Sequence, residues 1–177
     1  MDTTDHAALE LDDPGMRAWA RFLHAQATIV RRLEAELQDA HALGLGEFEA
    51  LLQLSLADLG RLRMSELADR LVLSRSGVTR LVDRLEAVGC IARVTCPSDA
   101  RGAFAELTDA GRARLRDAAP THVRGVREHF VDRVAPDELD GLARTLARLV
   151  TPDPADDATC DAVLSIAADA EVHTTPR

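Results

Sequence analysis

Between Met16 and about Ala40 the apolar residues Trp19, Phe22, Leu23, Ile29, Val30, Leu33 and Leu37 recur mostly at steps of three and four. That spacing predicts one face of a long helix. Leu43-Gly44-Leu45-Gly46 interrupts it, and a second helix is expected from about Glu47 to Asp58, with Leu51, Leu52, Leu54 and Leu56 available for burial. Gly60 ends that helix, and Arg61-Leu62-Arg63 reads as a short extended link. Ser65 is a plausible N-cap for a short helix through Leu71, with Leu67, Ala68 and Leu71 inward. Ser74 can cap the next helix, which Gly89 terminates in a left-handed turn. At 100° per residue Val78, Leu81, Val82 and Leu85 share one sector of it. The opposite sector holds Ser76, Thr79, Arg80 and Asp83, flanked by Arg75 and Arg84.

Two short helices joined by about three residues, the second with a polar, Arg-bearing outer face, fit a helix-turn-helix. They also fit an ordinary helical hairpin with a solvated face. The next segment separates the two. Cys90 to Thr95 alternates and is rich in β-branched residues, so it reads as a strand. Cys96 to Gly102, "CPSDARG", reads as a polar turn, and Ala103 to Leu107 as a returning strand. A hairpin directly after such a helix is a wing. Its tip carries Arg101, suited to the narrow minor groove, with Asp99 two residues away to hold the guanidinium.

Thr108 can cap a long helix carrying Leu115, Val123, Val126 and Phe130, which Pro120 is expected to kink or break. Pro136 opens a last helix with Leu139, Leu142, Leu146 and Leu149. The fold expected is mainly α, a winged helix-turn-helix with a two-stranded β wing and flanking helices. The organisation expected is a flexible segment over 1–15, helices over 16–60, the winged helix-turn-helix over 61–114, helices over 115–150 and an acidic tail over 151–177. A short helix around Cys160–Ala170 is compatible with that tail.

Charge sharpens this picture. The 177 residues carry a formal charge of -9, yet residues 61–114 hold 10 Arg against 7 acids. Residues 1–60 hold 4 Arg against 11 acids, and residues 115–177 hold 7 Arg against 12. A basic middle between acidic ends localises a polyanion. Charges interrupt every apolar run, so no transmembrane helix is expected, and no basic start precedes an apolar block. Three cysteines, Cys90, Cys96 and Cys160, do not make a disulfide framework. The expectation is a cytoplasmic protein.

Residues 61–114 resemble the winged helix of the MarR family of bacterial transcription regulators. The carriers are "SRSGVTRLVDRLEAVG", the strand "IARV", the wing "PSDARG" and the closing "LTDAG", with a looser match over roughly residues 16–150. Ala100 stands where many members carry a further wing Arg. The resemblance implies a homodimer interlocked through the long first helix and the two helices that follow the wing, over 16–60 and 115–150, where an intrachain bundle is the alternative. It also implies a pseudo-palindromic double-stranded DNA operator. Ser74, Arg75, Ser76, Thr79, Arg80, Arg84, Asp99 and Arg101 are the candidate DNA contacts. A repressor released by a small, often aromatic or phenolic, effector is the expected function, with Trp19, Phe22, His24 and Phe48 as candidate cleft-wall residues.

Other chemistries are less supported. His24, His41, His122 and His129 show no close metal-ligand spacing, so no metal or cofactor is expected. No glycine-rich phosphate loop, Gly-x-Ser-x-Gly elbow or paired catalytic carboxylates point to an enzyme. Two alternatives stay open: a winged-helix protein-interaction module with little DNA affinity, and a redox-responsive regulator using Cys90 and Cys96.

Overall fold

A computed structural model of the chain describes residues 13–96, 99–149 and 154–174; the side chains of 95, 96, 99–102, 154–157 and 171–174 lie outside that description. Helix α1 (Pro14–His41) begins where Asp13 accepts a hydrogen bond from the Gly15 amide at 2.6 Å and Pro14 occupies the first turn. Its pattern predicts one buried face, but in the single chain only Leu33 and Leu37 are buried. Helix α2 (Leu45–Leu56) lies in the centre of the core and buries Leu45, Phe48, Leu51, Leu52 and Leu54. A 3₁₀ turn over Asp58–Gly60 follows, and Gly60, at φ 68°, takes a left-handed conformation that an L side chain rarely adopts.

The link at Arg61–Arg63 is a strand, β1, which joins the two-stranded wing in a three-stranded sheet. β2 (Ile91–Cys96) and β3 (Asp99–Leu107) form the wing, and β3 lies between β1 and β2 with both pairings antiparallel. A three-residue extended stretch carries almost no strand signal alone; it is ordered here by its ladder to β3. The returning strand also begins at Asp99 rather than Ala103, which shortens the turn read over Cys96–Gly102, with a register shift between Thr95 and Cys96.

Helices α3 (Met64–Arg70) and α4 (Arg75–Ala87) form the helix-turn-helix. Ser65 does not cap α3. Arg63 is the N-cap residue, and the Glu66 carboxylate accepts its backbone amide at 2.9 Å, the reciprocal half of a capping box. Val78, Leu81, Val82 and Leu85 of α4 are buried with Leu62, Leu67, Ile91, Ala105 and Leu107, so sheet and helices share one core.

Helix α5 (Asp109–His129) starts at Thr108, whose Oγ1 accepts the Gly111 amide at 3.1 Å. The expected break at Pro120 does not occur, and the helix runs through it. Proline removes a backbone bond there, but burial of Leu115, Ala118, Ala119, Thr121 and Gly125 on both sides holds the helix together. Helix α6 (Pro136–Ala147) buries no residue within the chain. The acidic segment forms a longer helix than Cys160–Ala170: α7 (Pro154–Thr174) packs on α5 and α2 through Ala162, Val163, Ile166 and Ala167.

Candidate nucleic-acid interface

The outer face of α4 is built from its cap outward. Ser74 Oγ accepts the Gly77 amide at 3.1 Å and lies 3.2 Å from Ser76 Oγ. This closes the first turn and leaves the other N-terminal amides directed outward, a favourable environment for phosphate. Thr79 Oγ1 donates to the Arg75 carbonyl at 2.8 Å, so its methyl group remains for apolar contact. Ser74, Arg75, Ser76, Thr79 and Arg80 are all exposed, on the side opposite the buried leucines and valines.

The arginines of this region divide into two kinds. Among the described residues, neither Arg75 nor Arg80 has an ion-pair partner. Arg84 does: its Nε lies 2.7 Å from Glu47 Oε1, and the other oxygen of Glu47 accepts the Gly44 amide at 3.1 Å. Arg84 therefore ties α4 to the start of α2. The side chains of Asp99 and Arg101 fall outside the described residues, and so does the proposed contact between them.

Sequence reasoning missed Arg93. It stands on β2 opposite Ala105, and its guanidinium lies 2.6 Å from both Asp83 Oδ1 and Glu86 Oε2. The Asp83 hydrogen bond leads in raising the Arg93 pKa above its ordinary value. The signal available was periodicity: Arg93 shares a strand face with buried Ile91, so an arginine there points toward α4.

The candidate ligand residues do not form one site. Trp19 and Phe22 lie together on α1, ring centroids 6.1 Å apart, and both are exposed, as is His24. Phe48 is fully buried and stacks on His122 at 4.5 Å. Phe22 lines an apolar cleft of about 570 Å³ with Ile29, Val30, Phe130, Leu142 and Leu146. A more polar cleft of about 650 Å³ separates the α1–α2 joint from α4; Glu34, Gln38, Glu47, Arg84, Leu85 and Arg114 line it, and none of the four candidates does. Either is large enough for a small molecule.

Burial shifts Cys90 and His122. It pushes the Cys90 thiol pKa up, which disfavours the reactive thiolate. Burial also lowers His122 to about 4, and its Nδ1 has no hydrogen-bond partner. His129 Nε2 lies 2.5 Å from Glu36 Oε1, which joins α5 to α1. Among the described residues no group of three His, Cys, Asp or Glu side chains could hold a metal ion, and no helix is long and apolar enough to cross a membrane.

Known proteins share this arrangement. A sequence profile described as MarR family matches residues 43–102. The uncharacterized HTH-type transcriptional regulator YkoM of Bacillus subtilis is 33% identical over 110 residues, covering 62% of this chain and 70% of that protein. The crystal structure of AbsC, a MarR family transcriptional regulator from Streptomyces coelicolor, is 35% identical with a TM-score of 0.74, over 80% of this chain and 95% of that one. Sco3205, a MarR family regulator of the same organism solved in complex with DNA, is 35% identical with a TM-score of 0.71, over 78% of this chain and 88% of its own. The caps, the buried face of α4, the wing and these similarities agree, and the chain belongs to the MarR family of winged helix-turn-helix transcriptional regulators.

Proposed function

We propose that this regulator is a homodimeric, sequence-specific repressor that binds a pseudo-palindromic operator and is released by a small ligand, acting in the cytoplasm on chromosomal DNA. The observation that carries the reading is the pair of exposed guanidiniums, Arg75 and Arg80, on a capped helix whose other face is buried. Within α4 they are the cations free to meet DNA, because Arg84 is held by Glu47. Arg80 is assigned to guanine O6 and N7 in the major groove, with Arg75, Ser76 and Thr79 on phosphates or thymine methyls. Arg101 is assigned to the minor groove, braced by Asp99.

Dimerisation is supported by the surface a single chain leaves open. Trp19, Phe22 and Leu23 are 54%, 42% and 44% exposed, and Leu139, Leu142 and Leu146 of α6 are only half-buried, so α1 presents an apolar face, continued by α6, that a second copy would cover. The polar cleft beside Arg84 is the site proposed for the ligand, because occupation there would bear on the α2–α4 contact. DNA relatives lend support, since Sco3205 was solved on DNA.

The test is selection of duplexes from a random library, followed by footprinting and sizing of the complex. The expected result is an imperfect palindrome with half-sites about 10 base pairs apart, bound by two chains. A single half-site footprint, or a monomer at micromolar concentration, contradicts the arrangement.

A further inference from the structure

Arg93 lies outside the reading face, yet it grips that face's helix from the wing. It projects from β2 on the side of the sheet shared with buried Ala105. Nη2 is 2.6 Å from Asp83 Oδ1 and donates to the Thr79 carbonyl at 3.3 Å, while Nη1 is 2.6 Å from Glu86 Oε2. The Arg93 backbone amide donates to Glu86 Oε1 at 3.2 Å. One wing residue therefore holds α4 at three points along the flank that carries Thr79.

Stability is not the main consequence of these contacts. The side chains of Arg93, Asp83 and Glu86 are 30%, 54% and 39% exposed, and ion pairs in such settings contribute little to folding. Their effect is geometric. The chain enters β2 through Gly89 at φ 73°, where the Gly89 and Cys90 amides donate to the Glu86 and Leu85 carbonyls and the Thr108 hydroxyl donates to the Gly89 carbonyl. Those bonds fix the start of the strand, and Arg93, four residues further along, holds the wing's continuation against α4. A planar guanidinium engaged by two carboxylates fixes both distance and direction.

We propose that Arg93 is a positioning residue for DNA reading, clamping the wing to α4 through Asp83 and Glu86 so that helix and wing meet the duplex in register. The proposal rests on the DNA-binding reading above. It is separable from simple charge effects, because Asp83 and Glu86 are acids beside the proposed DNA surface. Electrostatics alone predicts that neutralising them tightens binding; the clamp predicts that it weakens binding.

The experiment measures affinity for a duplex selected by the wild-type protein and for an unrelated duplex of equal length. Arg93→Gln and the double variant Asp83→Asn/Glu86→Gln should each weaken the selected duplex by roughly tenfold, and the triple variant should be no worse than the weaker of the two. Thermal midpoints should move by no more than about 4 °C. Arg93→Lys keeps the charge and loses the fork, so its affinity should fall between Arg93→Gln and wild type. Tighter binding by the double variant, unchanged binding by Arg93→Gln, full recovery by Arg93→Lys or full additivity would overturn the clamp while leaving the DNA reading intact. A wild-type protein that selects no sequence and binds no duplex overturns the DNA reading, and the clamp with it.

Discussion

Acid should destabilise this fold through His122. The imidazole is buried against Phe48, its Nδ1 has no partner, and burial lowers its pKa from 6.5 to about 4. The unfolded chain exposes the same ring to water, where it binds a proton at the ordinary pKa. Between pH 6.5 and about 4 the unfolded state therefore holds more protons, and stability rises with pH across that window. The contribution is complete above the unfolded pKa and is lost as pH falls toward the folded one. Going from about pH 7.5 to about pH 5, this single group costs about 2 kcal/mol. Carboxylates titrate over part of the same range, so the comparison is with His122→Leu, which fills similar space without titrating. Urea unfolding of both proteins at each pH, at one fixed protein concentration, gives the difference directly. The wild type should lose about 2 kcal/mol more than the variant on acidification. Equal losses in the two proteins, or a smaller loss in the wild type, would refute the buried neutral imidazole.

Gly111→Ala should destabilise by roughly 2 kcal/mol in denaturant unfolding, although helix propensity favours alanine by about 1 kcal/mol. An added Cβ would lie 2.2 Å from the Cys90 carbonyl oxygen, so α5 would have to move off the wing's base. Ser74→Ala removes the acceptor of the Gly77 amide and should cost about 1 kcal/mol, read from the thermal midpoint. Arg80→Ala should weaken operator binding by about 1–3 kcal/mol per half-site and relax base preference there, read by competition between selected and substituted duplexes.

Much of the DNA-binding region was legible in the sequence because its signals are local. The caps Ser74 and Thr108 bond amides three residues away, and the buried set Val78, Leu81, Val82 and Leu85 follows from helical periodicity alone. The exposed face carrying Ser76, Thr79 and Arg80 follows with it. Periodicity names a face without naming what that face meets, and there the sequence reading needed correction. Ser65 looked like a cap, but the N-cap of α3 is Arg63, two residues earlier. Arg61–Arg63 became a strand only because β3, some forty residues on, lies beside it. A kink or break is expected at Pro120, and α5 continues unbroken through it with buried residues on both sides.

The same division runs through the candidate site. The sequence by itself determined the winged helix-turn-helix fold class, since helix periodicity, capping and turn chemistry are decided within a few residues; the class of protein came from its resemblance to a known family. Tertiary structure decided what each charged group is free to do. Arg84 and Arg80 share a helix flank and look alike in sequence, but Glu47, 37 residues upstream, engages only Arg84. Arg93 looked like a strand residue until the sheet placed it over Asp83 and Glu86. Phe48, Trp19 and Phe22 looked like one aromatic set, and the core took Phe48 while leaving the other two on an open face of α1. A charge pair or a buried ring depends on atoms brought together by the whole fold, and no local pattern encodes that meeting.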